Sequence, residues 1–500
     1  MLCATATPER ILFSRDKMIY GHFLEHFHRQ VYGGIFMPGH PLSDKDGFRT
    51  DVLDALRKIQ TPIIRWPGGC FVSSYHWEKG VGKRIHVFDK AWRVEDDNSF
   101  GTDEFILLCR KIGCEPYICT NAGSGNEEEM SNWMEYCNLD NQGEYAKQRI
   151  ANGHREPYNV KYWSVGNENY GDWEMGAKSS AEWGRFVLES TKMMKRIDPT
   201  AQLSAAALSD IDWNTHLLEK AGSRLDWISI HGYWDGLWQN DNPANYEQSM
   251  AYTDSLDGSI RRVRGLLTAF GLEKRIRIAY DEWNLRGWHH PNAHTIIPGV
   301  TKEEYLYPRD RNDLNQTYTM SDAVFSACFL NTLLRNADIV GMANFAPMIN
   351  TRGGIFTYDK GIVLRSTYHV FDMYVNHMYD QIIDLYVTDN PIYQVKNKSG
   401  YTTNVDMIDI VATRDRSSGK LAISLINKHQ SSSEKVLLKL PIQNKSMRLI
   451  SLTGRSADDY NDIDRNYVIP FENNDAINKV DENSVELTLP AHSVNILEIG

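Results

Sequence analysis

Short runs of apolar, β-branched residues alternate with longer stretches of helical periodicity from about residue 18 to residue 370. The predicted strands are Met18–Gly21, Ile63–Arg65, Glu115–Ile118, Tyr162–Val165, Leu203–Ala206, Trp227–Ile230, Ile276–Ala279 and Ile339–Ala343. Between them, Val52, Leu53, Leu56 and Ile59 recur at helical spacing within Asp51–Gln60. A second helix opens with Thr102 as its N-cap, carries Asp103 and Glu104 in its first turn and closes near Gly113. A third covers Ser180–Ile197 and stops at Asp198-Pro199. Eight strand–helix units in succession predict an α/β fold, a parallel (β/α)8 TIM barrel over residues 18–375 rather than an open sheet.

The pattern then changes. Leu421–Ile426, Val436–Leu440, Met447–Leu452, Val485–Leu489 and Val494–Ile499 are strand-like, with turn residues between them and no helical period. Val485, Leu487 and Leu489 alternate with Glu486 and Thr488, as in a half-buried strand. Residues 376–500, joined by residues 1–17, are expected to form an antiparallel, jelly-roll-like β-sandwich.

Charge narrows the function classes. The chain has 54 Lys+Arg against 65 Asp+Glu, a net of 54 − 65 = −11. That mild acidity argues against nucleic-acid partners, which need a basic face. No run of 18 apolar residues and no basic start followed by an apolar stretch occurs, so neither a membrane span nor a secretory leader is expected. The seven cysteines are odd in number and lack a C-x-x-C pair, which favours reduced thiols in a cytoplasmic protein. Cys109, Cys114 and Cys119 fall on a helix, its end and the next strand, a placement that suits core thiols rather than metal ligands. Thirteen Trp and twenty-five Tyr lean weakly towards stacking on sugars.

Barrel enzymes place their chemistry where strands end. Those positions here hold Glu25, Arg65–Cys70, Asn121, Asn167–Asn169, His231–Tyr233, Asp281–Asn284 and Asn344–Asn350. Buried polar groups of this density need partners or a purpose. Two carboxylates stand out: Glu168 in WSVGNENYG after the fourth strand, and Glu282 in IAYDEWN after the seventh. A carboxyl pair across a barrel mouth matches glycoside hydrolysis, in which one protonates the leaving oxygen and the other meets the oxocarbenium-like centre. Asn167 could hydrogen-bond a sugar 2-hydroxyl, and Arg65 could help keep Glu282 charged.

The stretches YGHFLEHFHRQVYGGI, RWPGGCFVSSYHWEKGVG, NSFGTDEF, EPYICTNAGSG, KYWSVGNENYGDW, ISIHGYW, YDEWN and the terminal LPAHSVNILEIG resemble, in order, the glycoside hydrolase family 51 α-L-arabinofuranosidases. The resemblance implies a retaining mechanism with Glu168 as acid/base and Glu282 as nucleophile, so that Glu168 is expected to rest protonated and Glu282 ionised. It further implies sugar binding by Glu25, Asn167 and Tyr233, with His231 at the same mouth, and pocket walls from Trp92 and Trp288. No cofactor or metal is implied. The substrate implied is an arabinose-bearing oligosaccharide, and the assembly a homo-oligomer, commonly a hexamer. On the same barrel, a β-xylosidase or endo-β-glucanase is the alternative; a sugar-binding protein without catalysis would not need both carboxylates.

Two positions depart from the family. Cys70 follows Pro67-Gly68-Gly69, where many members carry Asn, and a thiol is the weaker hydrogen-bonder. Pro347 stands after the eighth strand where Gln is common, leaving Asn350 or Arg352 as candidates for that contact. The polar segment Arg286–Asp310, with His289, His290 and His294, is expected to be a lid rather than a metal site.

Overall fold

The computed structural model describes residues 1–237, 242–288 and 313–500. Eight parallel strands, Gly21–Phe23, Ile63–Trp66, Glu115–Thr120, Tyr162–Val165, Gln202–Ala205, Trp227–Leu237, Arg277–Trp288 and Val340–Phe345, pair in cyclic chain order, the eighth returning to the first. A bridge from Ala206 to Ser229 links the fifth strand to the sixth and completes the barrel. The first strand starts later than its apolar pattern predicts. Asp16 accepts the Met18 N–H at 3.1 Å and caps a 3-10 turn over Lys17–Tyr20, so only Gly21–Phe23 enters the sheet. The second helix is capped differently from the expectation. Gly101 is its N-cap, with Glu104 accepting the Gly101 N–H at 2.8 Å, and the Thr102 hydroxyl instead accepts from Trp133 Nε1 at 3.0 Å.

The inward-facing positions of the strands form layers. Met18, Ile63, Tyr117, Tyr162, Trp227, Ala279 and Met342 make one apolar plug. Two residues further along, the period of a strand puts Arg65, Cys119, Ser164, Ser204, Ser229, Asp281 and Asn344 on the same side, all buried. The core therefore turns from apolar to polar over a single step towards the strands' C-terminal ends, and that step forms the floor of the site.

The sixth and seventh strands outrun the others, pairing from Arg277 with Trp227 up to Trp288 with Leu237. Buried Arg286 holds this extension, donating to Asp235 at 2.6 Å and Asp322 at 2.9 Å. Lys398, from the hairpin of Ile392–Lys396 with Thr402–Asp406, reaches the same Asp235 at 2.7 Å.

The C-terminal strands join a ten-stranded, mostly antiparallel sheet whose apolar side chains close on one core, including Ala4, Ile383, Ile423, Val436, Leu449, Val485 and Leu497. One pairing in it is parallel: Leu2–Ser14 lies between Gln381–Thr388 and Glu434–Lys439, antiparallel to the former and parallel to the latter. This strand arrives from the far end of the chain, so no hairpin fixes its direction. The last strand, Ser493–Ile499, is buried on both faces. Leu497 and Ile499 enter the sandwich core, while Val494 and Ile496 pack with the barrel helices, which explains its nearly unbroken apolar run.

Candidate active site

At the seventh strand the pairing with the sixth advances from Ala279–Ser229 to Glu282–His231, three residues against two. This β-bulge turns two consecutive carboxylates into the barrel, where a regular strand would send one outwards. Asp281 is the deeper, accepting from Tyr117 Oη at 2.7 Å and Ser229 Oγ at 2.6 Å. Glu282 sits above it, accepting from Arg65 Nη1 at 2.5 Å and from Tyr233 Oη at 2.8 Å. Arg65 is fully buried and fans out from the second strand. Its Nη2 reaches Asn167 Oδ1 at 2.9 Å and its Nε lies 3.4 Å from Asp281. One guanidinium thus fixes a carboxylate and an amide by directed bonds, which a point charge could not do.

Glu168 follows the fourth strand in a left-handed backbone conformation, φ +46°, just after Gly166 at φ +71°. A non-glycine residue held there is strained, and such strain concentrates at functional sites. Its Oε1 accepts from His231 Nδ1 at 2.8 Å and its Oε2 from Trp173 Nε1 at 2.8 Å. His231 lies between the carboxyls, its Nδ1 also 3.7 Å from Glu282 and its Nε2 3.4 Å from Asp281. One donor atom from each of Glu168, His231 and Glu282 falls within 4.8 Å of the others.

The electrostatics of His231 and Glu168 favour a different proton position from the one expected from the sequence. Burial by itself would depress the His231 imidazolium, but Glu282, Asp281 and Glu168 around it push it up to about 10. Burial would raise the Glu168 carboxyl, yet His231, Trp173 and Arg65 hold it below the ordinary range. Both directions favour the imidazole over Glu168 as holder of the pair's proton. The spacing of the three ligand atoms would also suit a divalent ion, whose binding would have to displace the proton from Nδ1.

The remaining wall comes from the first and second strands. Glu25 Oε1 accepts from the Phe71 N–H and from Trp92 Nε1, both at 3.0 Å. Burial raises its carboxyl well above the usual range, with Glu282 adding to the effect. Gly69, at φ +74°, lies against that carboxyl, and a Cβ there would meet it at 2.5 Å. Cys70 is partly exposed beside it, its thiol raised by burial and by Glu174 and Glu25.

Two family descriptions match the chain: α-L-arabinofuranosidase 1 domain over residues 55–251 and α-L-arabinofuranosidase C-terminal domain over residues 281–493. An intracellular exo-α-(1→5)-L-arabinofuranosidase of Halalkalibacterium halodurans is 32% identical, covering 97% of this chain and 96% of its own. The chain belongs to glycoside hydrolase family 51. An intracellular exo-α-(1→5)-L-arabinofuranosidase 1 of Bacillus subtilis is 36% identical, over 69% of each chain. The α-L-arabinofuranosidase of Thermotoga maritima, solved as an arabinose complex, superposes with a TM-score of 0.88 at 33% identity, covering 100% of this chain and 99% of its own.

Within the family 51 frame, the eighth-strand loop is resolved by its hydrogen bonds. The Asn350 amide is committed to its own loop, donating to Arg29 O at 2.6 Å and Thr357 Oγ1 at 2.9 Å and accepting the Thr357 N–H at 2.8 Å. Asn350 therefore shapes the loop instead of facing the sugar. Arg352 faces the pocket, lying over the Tyr233 ring at 5.0 Å with Nη2 3.4 Å from the hydroxyl. The expected lid does not begin at Arg286, which is buried in the extended seventh strand; the rest of that segment from residue 289, with its three histidines, and the Trp288 side chain lie outside the described residues. Asp281 and Glu174 are buried site residues to which the sequence reading gave no role. Asp281 was visible beside Glu282 in YDEWN, but Glu174 had no signal.

Proposed function

We propose that this chain is a retaining, exo-acting α-L-arabinofuranosidase that removes terminal arabinofuranose from arabinoxylan or arabinan oligosaccharides. The observation that carries the reading is the separation of the Glu168 and Glu282 carboxyls, with an oxygen of each inside 4.8 Å. Retaining glycosidases hold their two carboxyls about 5–5.5 Å apart, while inverting ones leave about 6.5–9.5 Å for a water.

In this reading a Glu282 oxygen attacks the anomeric carbon as the glycosidic C–O bond breaks, and Glu168 gives a proton to the departing oxygen. The Glu168–His231 pair supplies that proton, drawn across the 2.8 Å bond. A water then gives its proton back to Glu168 while its oxygen displaces Glu282 from the sugar. Arg65 and Tyr233 hold the nucleophile in one orientation. Asn167, Glu25 and Cys70 face the sugar, Trp92 packs behind Glu25, and Arg352 supplies the eighth-strand contact. Both the proton and the covalent intermediate come from side chains, so the reaction as written uses no cofactor.

The catalytic unit in this proposal is residues 18–375, with residues 1–17 and 376–500 as the supporting sandwich. A cytoplasmic setting, suited to short imported oligosaccharides, agrees with the relatives' names. Among the described residues no helix is long and apolar enough to cross a membrane. A homo-oligomer, neither nucleic acid nor membrane being a partner, completes the reading. The test is to offer the purified protein nitrophenyl α-L-arabinofuranoside, β-D-xyloside and β-D-glucoside together with a β-glucan polymer. Dominant arabinofuranoside cleavage supports the proposal. Preference for xyloside or glucan would keep the carboxylate pair and replace the substrate, and no cleavage at all would favour a sugar-binding role.

A further inference from the structure

A third carboxyl stands behind the pair. Glu174, in the loop after the fourth strand, is 4% exposed and makes contacts that the reaction as written does not use. Its Oε1 is hydrogen-bonded by Ser73 Oγ, the Cys70 thiol is bonded to the same carboxyl, and Oε2 lies 3.5 Å from Asn167 Nδ2. The Asn167 amide is therefore held from both sides, its oxygen on Arg65 at 2.9 Å and its nitrogen on Glu174. Without the second contact the amide could rotate about its last bond, exchanging donor for acceptor where the sugar binds.

We propose that Glu174 is a positioning residue for this site, a carboxyl that sets the Asn167 amide and the Cys70 thiol against the sugar's 2-hydroxyl edge. The inference rests on the glycosidase reading above. Three facing groups bear on its protonation: Cys70 from the turn after the second strand, Glu168 from the fourth strand and Glu282 from the seventh. Glu25 also acts on the Cys70 thiol, and Asn167 links Glu174 to the Arg65 cation. Burial raises the Glu174 carboxyl to about 8 against the Ser73 and Cys70 bonds, and Glu168 and Glu282 add to the rise. Above that pH its ionisation puts a third negative charge beside the pair. The proton shared by Glu168 and His231 is then held more tightly, and its transfer to the leaving oxygen slows.

The experiment compares wild type, Glu174→Gln and Glu174→Ala on nitrophenyl α-L-arabinofuranoside and on its 2-deoxy analogue, across pH 5 to 10. Wild type should show a fall in kcat/KM centred near pH 8, before the fall that follows the His231–Glu168 pair near pH 10. Glu174→Gln, neutral at every pH, should lose the first fall whatever its absolute rate. Glu174→Ala should lose about tenfold or more in kcat/KM on the parent substrate and less than about twofold on the 2-deoxy sugar, the scale of one hydrogen bond. Persistence of the inflection in Glu174→Gln overturns the proposal, as does an equal loss on both substrates. If Glu174→Ala does not fold, the glutamine profile decides alone. Failure of wild type to cleave any arabinofuranoside would instead strike the functional reading, and the profile comparison would then be run on the glycoside that is cleaved.

Discussion

His231 donates from Nδ1 to Glu168 at 2.8 Å while the same nitrogen lies 3.7 Å from Glu282. In the proposed reaction the imidazole is thus a single proton store between two carboxylates that need opposite charge states. Asp281, itself beside Arg65, lies 3.4 Å from Nε2 on the other side of the ring.

This arrangement predicts a stability window. His231 is raised in the folded state, so its contribution is complete below its unfolded value of 6.5 and is lost as pH rises through about 10. Glu168 is lowered, so its contribution is present above its unfolded value of 4.5 and is lost as pH falls through its folded value. Thermal melts should show their maximum from these two groups between those unfolded values. His231→Asn should remove the alkaline part of the loss, and an unchanged alkaline limb would contradict the assignment.

Arg65 touches Glu282, Asn167 and Asp281 from a fully buried position. Arg65→Met leaves both acids without their cation, which costs about 3–5 kcal/mol for a buried pair broken on one side. A large fall in Tm with loss of activity is expected, and a variant with wild-type Tm would show that the fan of bonds is not structural.

Tyr233→Phe removes the 2.8 Å hydrogen bond to the Glu282 carboxylate and the longer 3.4 Å contact from Arg352 Nη2, keeping the ring. Bonds to charged groups contribute about 1.5–3 kcal/mol, so kcat/KM should drop roughly 10- to 100-fold with Tm nearly unchanged. A change of less than twofold would remove Tyr233 from the description of the nucleophile.

Much of this site follows from position along the chain. Arg65, Asn167 and Glu168 lie at or just past the ends of their strands, His231, Tyr233 and Glu282 lie where the sixth and seventh strands run on beyond the others, and a closed parallel barrel gathers these positions at one face. What escaped depends on local backbone. Period-two alternation puts Asp281 and Glu282 on opposite faces, and only the bulge after Ala279 turns both inwards. The sequence leaves Asn350 and Arg352 as alternatives, and the choice falls to local backbone: Asn350 and Thr351 both sit at positive φ, and the Asn350 amide bonds within its own loop. Glu174 is carried to the site by an irregular loop that no periodicity marks. The late start of the first strand was readable in principle, since Asp16 is a plain capping residue.

Removal of Glu168 should separate substrates by leaving group. Glu168→Ala should slow glycosylation least for nitrophenolates, which depart without a proton, and most for alkyl arabinofuranosides. Equal slowing on both, measured in the pre-steady state, would count against the acid role.

Removal of Glu282 should abolish turnover while leaving the fold intact by circular dichroism. Added azide then has room to attack the anomeric carbon directly, giving the inverted glycosyl azide. A glycosyl azide of retained configuration would place the nucleophile elsewhere.

The central claim, double displacement across a carboxyl pair within 4.8 Å, is met most directly by following wild-type hydrolysis of nitrophenyl α-L-arabinofuranoside by proton NMR from the first turnovers. The account predicts that α-L-arabinofuranose forms first and the β anomer appears only afterwards by mutarotation. First appearance of the β anomer would contradict it.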